Sequence, residues 1–295
     1  MNYEGIKLAS DILIDEIFSI HYFEYMNNFN FAGESHDFWE FICVDKGEVN
    51  IQADSKVLTL KKGDIAFHKP NEFHNVRTNG VSAPNLVVIS FGTHSPAMKQ
   101  FEGQVFQINE TERNLLANIL TEAKRCIASP FNNPTTQKIE LSDKSFFGSQ
   151  QMVQLYLEEL LIHMIRSHFY SRPEPLPVKS IKKKSDTELY QRIETYLEEH
   201  IREHLTINLI CQDNLISRSQ VQKLFREKHN CGIIDYFSSL KIELAKQIIR
   251  ENHHNFTQIA EFLGYSSIHY FSRQFKKITG MTPSEYAISI KIFTE

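Results

Sequence analysis

The 295-residue sequence predicts an α+β chain, with an N-terminal antiparallel β jelly roll and flanking helices, then an all-α part carrying two helix-turn-helix motifs. Three observations lead there. From His36 to His74, apolar and polar residues alternate in short runs separated by the turn compositions DKGE, ADSK, KKGD and KPNE, the pattern of antiparallel strands. From Asn255 to Tyr286, a helix, a glycine turn, a second amphipathic helix and a basic cluster follow in close succession. Between these regions lies SRPEPLPVKSIKKKSD, Ser171 to Asp186, whose three prolines and four lysines favour an extended, solvated chain. The expected organisation is a β domain over residues 1–170, a linker over 171–185 and a helical domain over 186–295.

In the first part, an extended strand places His36, Phe38, Glu40, Ile42 and Val44 on one face and Trp39, Phe41 and Cys43 on the other. His36 and Glu40 are therefore expected to share a cavity, with His74 joining them from a later turn. Two helices follow, Glu110 to Ala128 with Leu115, Leu116, Ile119, Leu120 and Ala123 on its apolar face, and Gln150 to Phe169 with Met152, Leu155, Leu160 and Met164. The second is apolar around much of its circumference. It reads either as packing on the barrel and on a second surface, or as a helix buried within its own domain.

In the last part, Ile259, Ala260, Phe262 and Leu263 face a core, and Gly264 supplies the backbone freedom of the turn. Phe271 and Phe275 then anchor one side of the next helix, leaving His269, Ser272, Arg273 and Lys276 on other sides. The pattern occurs twice. Phe225, Tyr236, Lys241 and Ile242 recur as Phe275, Tyr286, Lys291 and Ile292 at a constant offset of fifty, while Ile210 and Cys211 precede Ile259 and Ala260 by forty-nine. One residue is thus gained or lost at the turn, where Asn214 or Leu215 stands for Gly264, and Asn tolerates left-handed backbone the better of the two. Phe237, Leu240, Leu244 and Ile248 mark a long helix joining both units.

Charge divides unevenly. Residues 1–178 carry 15 Lys plus Arg against 22 Asp plus Glu, a net of −7, and residues 179–295 carry 17 against 14, a net of +3. A nucleic-acid partner is therefore expected only at the helical half, with its positive charge gathered on one face. Cys43, Cys126, Cys211 and Cys231 have no CxxC spacing, and no secretory leader is apparent, so a cytoplasmic chain with free thiols is expected. Glu158, Glu159 and His163 interrupt the longest apolar run, which excludes a membrane span there.

On these residues, and above all on GYSSIHYFSRQFKKITGMTPSEY, the region from about Asp186 to Lys291 resembles the DNA-binding domain of the AraC/XylS family of bacterial transcription regulators. The resemblance implies seven helices, two of them recognition helices that enter successive major-groove segments of double-stranded DNA. By position it assigns base contacts to Ser219, Gln222 and Lys223 and to His269, Ser272 and Arg273; Lys276 and Lys277, with Arg226 in the equivalent place of the first copy, read as phosphate contacts by their charge, and Arg218 completes the expected DNA-binding set. Ser219 departs from the larger side chain often found there. The strand region resembles the cupin sensor domain of many such regulators through His36, Glu40 and Gly47, then Gly63, Asp64, Pro70 and His74.

That second resemblance implies an effector pocket lined by Glu34, His36, Glu40 and His74. No cofactor and no metal are expected, although His36, Glu40 and His74 make a two-histidine, one-carboxylate set suited to Fe, Mn, Ni or Zn. Metal-binding cupins usually offer a further histidine where this chain has Glu34. The implied partners are DNA, a small-molecule effector such as a sugar or glycoside, a second copy of the chain through Gln150 to Phe169, and RNA polymerase, with no membrane. Three readings compete: an effector-responsive, non-enzymatic transcription regulator, which accounts for both halves; a metal-dependent cupin enzyme fused to a DNA-binding domain; and a constitutive DNA-binding protein whose barrel only dimerises.

Overall fold

The computed structural model describes residues 3–133, 138–170 and 181–291. The chain divides into two compact units between Arg172 and Pro173. No helix among the described residues is long and apolar enough to cross a membrane.

The first unit holds β1 (Glu16–Glu24), β2 (Asn30–Glu34), β3 (Trp39–Lys46), β4 (Glu48–Ala53), β5 (Lys56–Lys61), β6 (Asp64–His68), β7 (His74–Arg77), β8 (Asn85–Gly92) and β9 (Val105–Gln107). They form two antiparallel sheets, ordered β1-β8-β3-β6-β9 and β2-β7-β4-β5. The pleat sorts their side chains. Ile42, Val44, Ala66, Leu86 and Val88 meet Val49, Ile51 and Leu60 between the sheets. The other face of the five-stranded sheet, with Phe41, Cys43, Phe67, Ile89 and Phe91, packs in one core with α1 (Glu110–Cys126) and α2 (Ser149–Phe169).

Two expectations change here, and of the two open readings of α2 one gains support. β3 begins at Trp39, so His36 lies in the connection from β2 rather than in a strand; its Nδ1 sits 3.1 Å from the Phe38 carbonyl and its ring stacks on Phe38 at 3.8 Å. β1 precedes the first expected strand, and a register shift between Ile17 and Ser19 breaks the alternation that would have revealed it. In α2, Leu157, Leu160, Leu161 and Met164 are fully buried within this unit, so the wide apolar circumference serves its own core; Leu155 and Phe169 are the large apolar side chains it exposes.

A buried carboxylate ties α1 to α2. Glu112 completes the capping box with Asn109, accepts from Ser167 Oγ at 2.8 Å and lies 3.4 Å from His163 Nδ1. One backbone amide at the helix start, Asn109 N–H at 2.9 Å, and two side chains of the neighbouring helix thereby compensate a charge that burial would otherwise penalise.

The second unit contains, among the described residues, seven helices: α3 (Ile181–Glu199), α4 (Ile207–Asp213), α5 (Arg218–His229), α6 (Ile233–Glu251), α7 (Phe256–Phe262), α8 (Ile268–Thr279) and α9 (Pro283–Lys291). Of the expected linker, residues 171–180 lie outside the described residues, as does Ile292 of the repeat. Residues 181–185 are helical instead of extended, because the last proline is Pro177 and the residues from Ile181 onward carry no bar to a helix.

The repeat is realised in three dimensions. Thr206 and Asn255 cap α4 and α7, and Ser217 and Ser267 cap α5 and α8, each accepting from the backbone three residues on. Ile210, Val221 and Phe225 are fully buried in the first core, Ile259, Phe271 and Phe275 in the second. The preceding helix plays the same part in each: Glu194 of α3 accepts from Tyr236 Oη at 2.8 Å, and Arg250 of α6 donates to Tyr286 Oη at 3.0 Å.

The two turns differ. Gly264 has φ +67°, and a Cβ there would run into the Arg202 carbonyl oxygen. In the first copy the left-handed residue is Leu215, φ +51°, not Asn214, φ −98°. Asn214 is instead buried, its side-chain amide donating to the Ile210 carbonyl at 3.0 Å. Leu215 therefore carries backbone strain with its side chain 94 % exposed, so no burial offsets it.

Lys241 on α6 joins the copies. Its buried Nζ donates to the Glu203 carbonyl, after α3, and to the Leu263 carbonyl at the end of α7, each at 2.6 Å. Burial lowers its pKa to about 8.

Two predictions follow from these contacts. Leu215→Gly should raise the stability of the helical unit by about 0.5 to 1 kcal/mol, the left-handed penalty less the extra chain entropy of glycine, measured by denaturant unfolding. Lys241→Met should lower it by about 1 to 3 kcal/mol at neutral pH, since two buried carbonyls lose their donor. Because the folded pKa lies below the unfolded value of 10.5, the wild-type unit binds fewer protons than its unfolded chain between about pH 8 and 10.5. Its stability should rise across that window, and the rise should be absent in Lys241→Met.

Candidate functional site

Two regions of the chain concentrate polar side chains on rigid elements. In the helical unit they are the outward faces of α5 and α8. Val221 and Phe225 anchor α5, Phe271 and Phe275 anchor α8, and the opposite sides are solvent-facing. Arg218, Ser219, Lys223 and Arg226 are exposed and Gln222 half-buried on α5; His269, Arg273, Lys276 and Lys277 are exposed and Ser272 half-buried on α8. The offset of fifty superimposes Ser219 on His269, Gln222 on Ser272, Lys223 on Arg273 and Arg226 on Lys276. Eight of the ten expected contact residues thus occupy equivalent positions, Arg218 and Lys277 having Ile268 and Glu227 as their counterparts, and all ten are at least partly exposed.

The charges on the two faces are arranged differently. Glu227 stands where α8 has Lys277, and it draws Lys223 Nζ to 3.7 Å. On α8, the Arg273 guanidinium lies 5.7 Å from the Tyr270 ring centroid, and Lys277 Nζ is 3.8 Å from Asp235 Oδ1. These exposed pairs are worth little in themselves. With histidine neutral, both helices carry a formal charge of +3, that of α5 from four cations and Glu227 and that of α8 from three cations with Asp235 of α6 beside Lys277.

In the β unit the expected cluster forms. Glu34, His36, Glu40 and His74 each offer a ligand atom within 4.8 Å of the others. Glu40 shares a strand face with Ile42 and Val44 and so points between the sheets. His74 opens β7, opposite Glu34 of β2. Between Phe31 and Glu34 the β2 register slips by one, around Gly33 at φ +109°, where a Cβ would strike the Phe73 ring. That bulge aims Glu34 at His74.

The distances are 3.7 Å from His36 Nε2 to Glu40 Oε2, 3.5 Å from His74 Nε2 to Glu40 Oε1 and 4.0 Å from His74 Nε2 to Glu34 Oε1. Ser90 Oγ donates to Glu40 Oε2 at 2.6 Å. His74 Nδ1 meets the Glu72 carbonyl at 3.0 Å, and the Glu72 carboxylate takes His68 Nδ1 at 2.9 Å. His68 stacks on His74 at 4.5 Å. Both His36 Nε2 and His74 Nε2 are buried without a hydrogen-bond partner.

Electrostatics follow the burial. Burial drives His74 below the ordinary imidazole pKa, against the pull of Glu40. Burial also opposes protonation of His36, but Glu40, the Phe38 carbonyl and Glu34 outweigh it and raise its pKa. For Glu40, burial would raise the pKa, yet His36, His74 and the Ser90 hydroxyl together hold it below the usual carboxylate range. Glu34 is raised by burial and by repulsion from Glu40. The cluster can bind a polar ligand or a cation through two carboxylates and two imidazole nitrogens.

His68, Glu72 and Ser90 were not singled out from the sequence. The signal was present for His68 and Ser90, because both stand directly opposite Glu40 across the sheet. Glu72 sits in a turn, where no period marks it.

A family model described as an AraC-like ligand binding domain matches residues 19–124, and one described as a helix-turn-helix domain matches residues 210–288. The chain is 28 % identical to the probable transcriptional regulator LumQ of Photobacterium leiognathi over 34 % of its own length and 40 % of that protein. It is 33 % identical to the raffinose operon transcriptional regulatory protein RafR of Pediococcus pentosaceus over 45 % of its length and 48 % of that protein. With these two relatives it therefore matches less than half of their length. It is 22 % identical to the HTH-type transcriptional activator RhaR of Yersinia pseudotuberculosis over 87 % of its length and 84 % of that protein. Two sheets with a ligand-binding-domain match ahead of a doubled helix-turn-helix unit place the chain in the AraC-type family of transcription regulators.

Proposed function

We propose that the chain is a sequence-specific DNA-binding regulator in which α5 and α8 read DNA and the Glu34, His36, Glu40 and His74 cluster senses an effector. The observation that carries the DNA-reading half is the pair of Ser-capped helices with buried aromatic or aliphatic anchors and superimposable polar faces. Each face presents three polar side chains for base-edge contacts, flanked by cations for phosphates. The sensing half rests on a buried set of donors and acceptors turned into the space between the sheets. A sugar or glycoside is the organic effector class proposed, in keeping with the name of the raffinose operon regulator and with the hydrogen-bonding character of the cluster.

The proposed assembly is a homodimer through the outward side of α2, where Leu155 and Phe169 are exposed and Phe146 and Phe147 precede the helix. Leu160 and Met164 take no part in it, being fully buried in their own unit. A cytoplasmic location and contact with RNA polymerase belong to the same reading.

Arg273→Ala should cost roughly 1 to 3 kcal/mol on the specific site and relax preference at one or two base pairs. Lys276→Ala should weaken all sequences alike and reduce the salt slope by about one ion. Titration of labelled operator and random duplexes at several salt concentrations separates the two effects. Unchanged specific binding by Arg273→Ala would contradict the assignment of α8.

A further inference from the structure

We propose that Glu34, His36, Glu40 and His74 bind one divalent first-row transition-metal ion, with Glu34 as the ligand that closes the site. The inference rests on reading this cluster as the sensing site and names its primary ligand. The tautomers are fixed by the partners. A carbonyl oxygen can only accept, so the Nδ1 of His36, facing Phe38 O, and the Nδ1 of His74, facing Glu72 O, both donate. Each Nε2 is then buried without a hydrogen-bond partner, a lone pair on the neutral ring of His74 and, on His36, one that an ion would expose by displacing the proton that Glu40 favours. His74 is the clearest case, its side chain only 3 % exposed.

Those lone pairs face carboxylate oxygens. His74 Nε2 looks at Glu40 Oε1 from 3.5 Å and at Glu34 Oε1 from 4.0 Å, and His36 Nε2 looks at Glu40 Oε2 from 3.7 Å. Acceptor against acceptor is repulsive in a poorly solvated site unless something positive lies between them. Four ligands around one ion at bond lengths near 2.1 Å stand about 3.4 Å apart, so the three short separations need to contract by only a few tenths of an ångström. An imidazole whose other nitrogen donates to a backbone carbonyl is the orientation that metal-binding histidines adopt. Glu72 fixes the second layer, its carbonyl holding His74 and its carboxylate holding His68, which stacks on His74.

Charge and donor type define the ion. Two carboxylates and two neutral imidazoles carry −2, which a divalent cation cancels and a neutral molecule does not. The nitrogen and oxygen donors favour Zn²⁺, Mn²⁺, Fe²⁺ or Ni²⁺ over a soft monovalent ion. Glu34 is the ligand with freedom to close: its side chain is 54 % exposed, on an edge strand, one residue past the Gly33 bulge. Occupancy therefore ties β2, its partner β7 and the connection to β3 to Glu40 of the other sheet. An organic effector meets the cluster with the ion in place.

The test uses untagged full-length protein stripped with a chelator and dialysed against Zn²⁺ or Co²⁺. The expected result is one equivalent of ion per chain by elemental analysis, a higher melting temperature for the β unit, and visible Co²⁺ absorption of a four-coordinate site. His74→Ala should lose affinity by more than the roughly 10- to 100-fold that removal of an outer-shell partner costs. Glu34→Gln, at a half-exposed position that folding does not depend on, should weaken binding at least tenfold with an unchanged apo melting temperature. Binding of no ion overturns the proposal, as does an equivalent retained in both Glu34→Gln and His74→Ala. If no ion binds while His74→Ala abolishes a thermal shift by a sugar, the metal fails and the sensing-site reading stands. If neither ion nor sugar binding depends on these residues, both fail.

Discussion

The helical unit depends on one constraint: a single helix, α6, belongs to both halves of the repeat. At its start it supplies Ile233 and Phe237 to the first core, and further along Ile242, Ala245, Ile248 and Ile249 to the second. Lys241 stands at the changeover. An ammonium at that depth is costly, and its cost is offset by two carbonyls that need a donor because a chain reversal leaves them without one. One of those carbonyls ends α7 and the other follows α3, so the lysine fastens the turn of the second copy to the entrance of the first. The guanidinium of Arg202 over the Phe262 ring, 4.0 Å from its centroid, lies at the same junction. Helices α5 and α8, mounted on such a frame, cannot be moved independently without breaking buried contacts.

Much of this was legible in the sequence because helices announce themselves by period and turns by glycine. The offset of fifty located Phe225 and Phe275, and both are fully buried; the offset of forty-nine located the inserted residue. What the offset did not decide was which residue would bear the left-handed backbone. Local propensity pointed to Asn214. The outcome went to Leu215, because Asn214 has a buried side-chain hydrogen bond to make and Leu215 has nothing to lose in solvent. The helical start at Ile181 was hidden by prolines that end four residues earlier. Lys241 was visible as a repeated residue, but neither its burial nor its carbonyl partners follow from spacing.

The β unit shows where periodic reasoning reaches its limit. Strand alternation correctly put Glu40 between the sheets, but His36 joins it from a loop and Glu34 through a bulge, two devices that a period of two does not describe. The four residues do converge, but by a route other than the strand alternation expected of His36. Their buried nitrogens without partners were beyond the sequence, since whether a histidine is satisfied depends on which carbonyls the loops present to it. The inter-sheet space thus has an apolar core around Ile42, Val44 and Leu60, and, on the same sheet face, a polar group of histidines and carboxylates. An apolar core of that kind holds the fold without help from the polar group, which leaves the latter available for binding.

The central claim is that two equivalent faces, held at one separation by α6, read DNA together. Selection of bound sequences from a random duplex library by the purified full-length protein tests it most directly. The account predicts two short sequence blocks at one invariant spacing in the selected sites, with the block lost in an Arg273→Ala selection being always the same one. A single block, or two blocks at freely varying spacing, would contradict it.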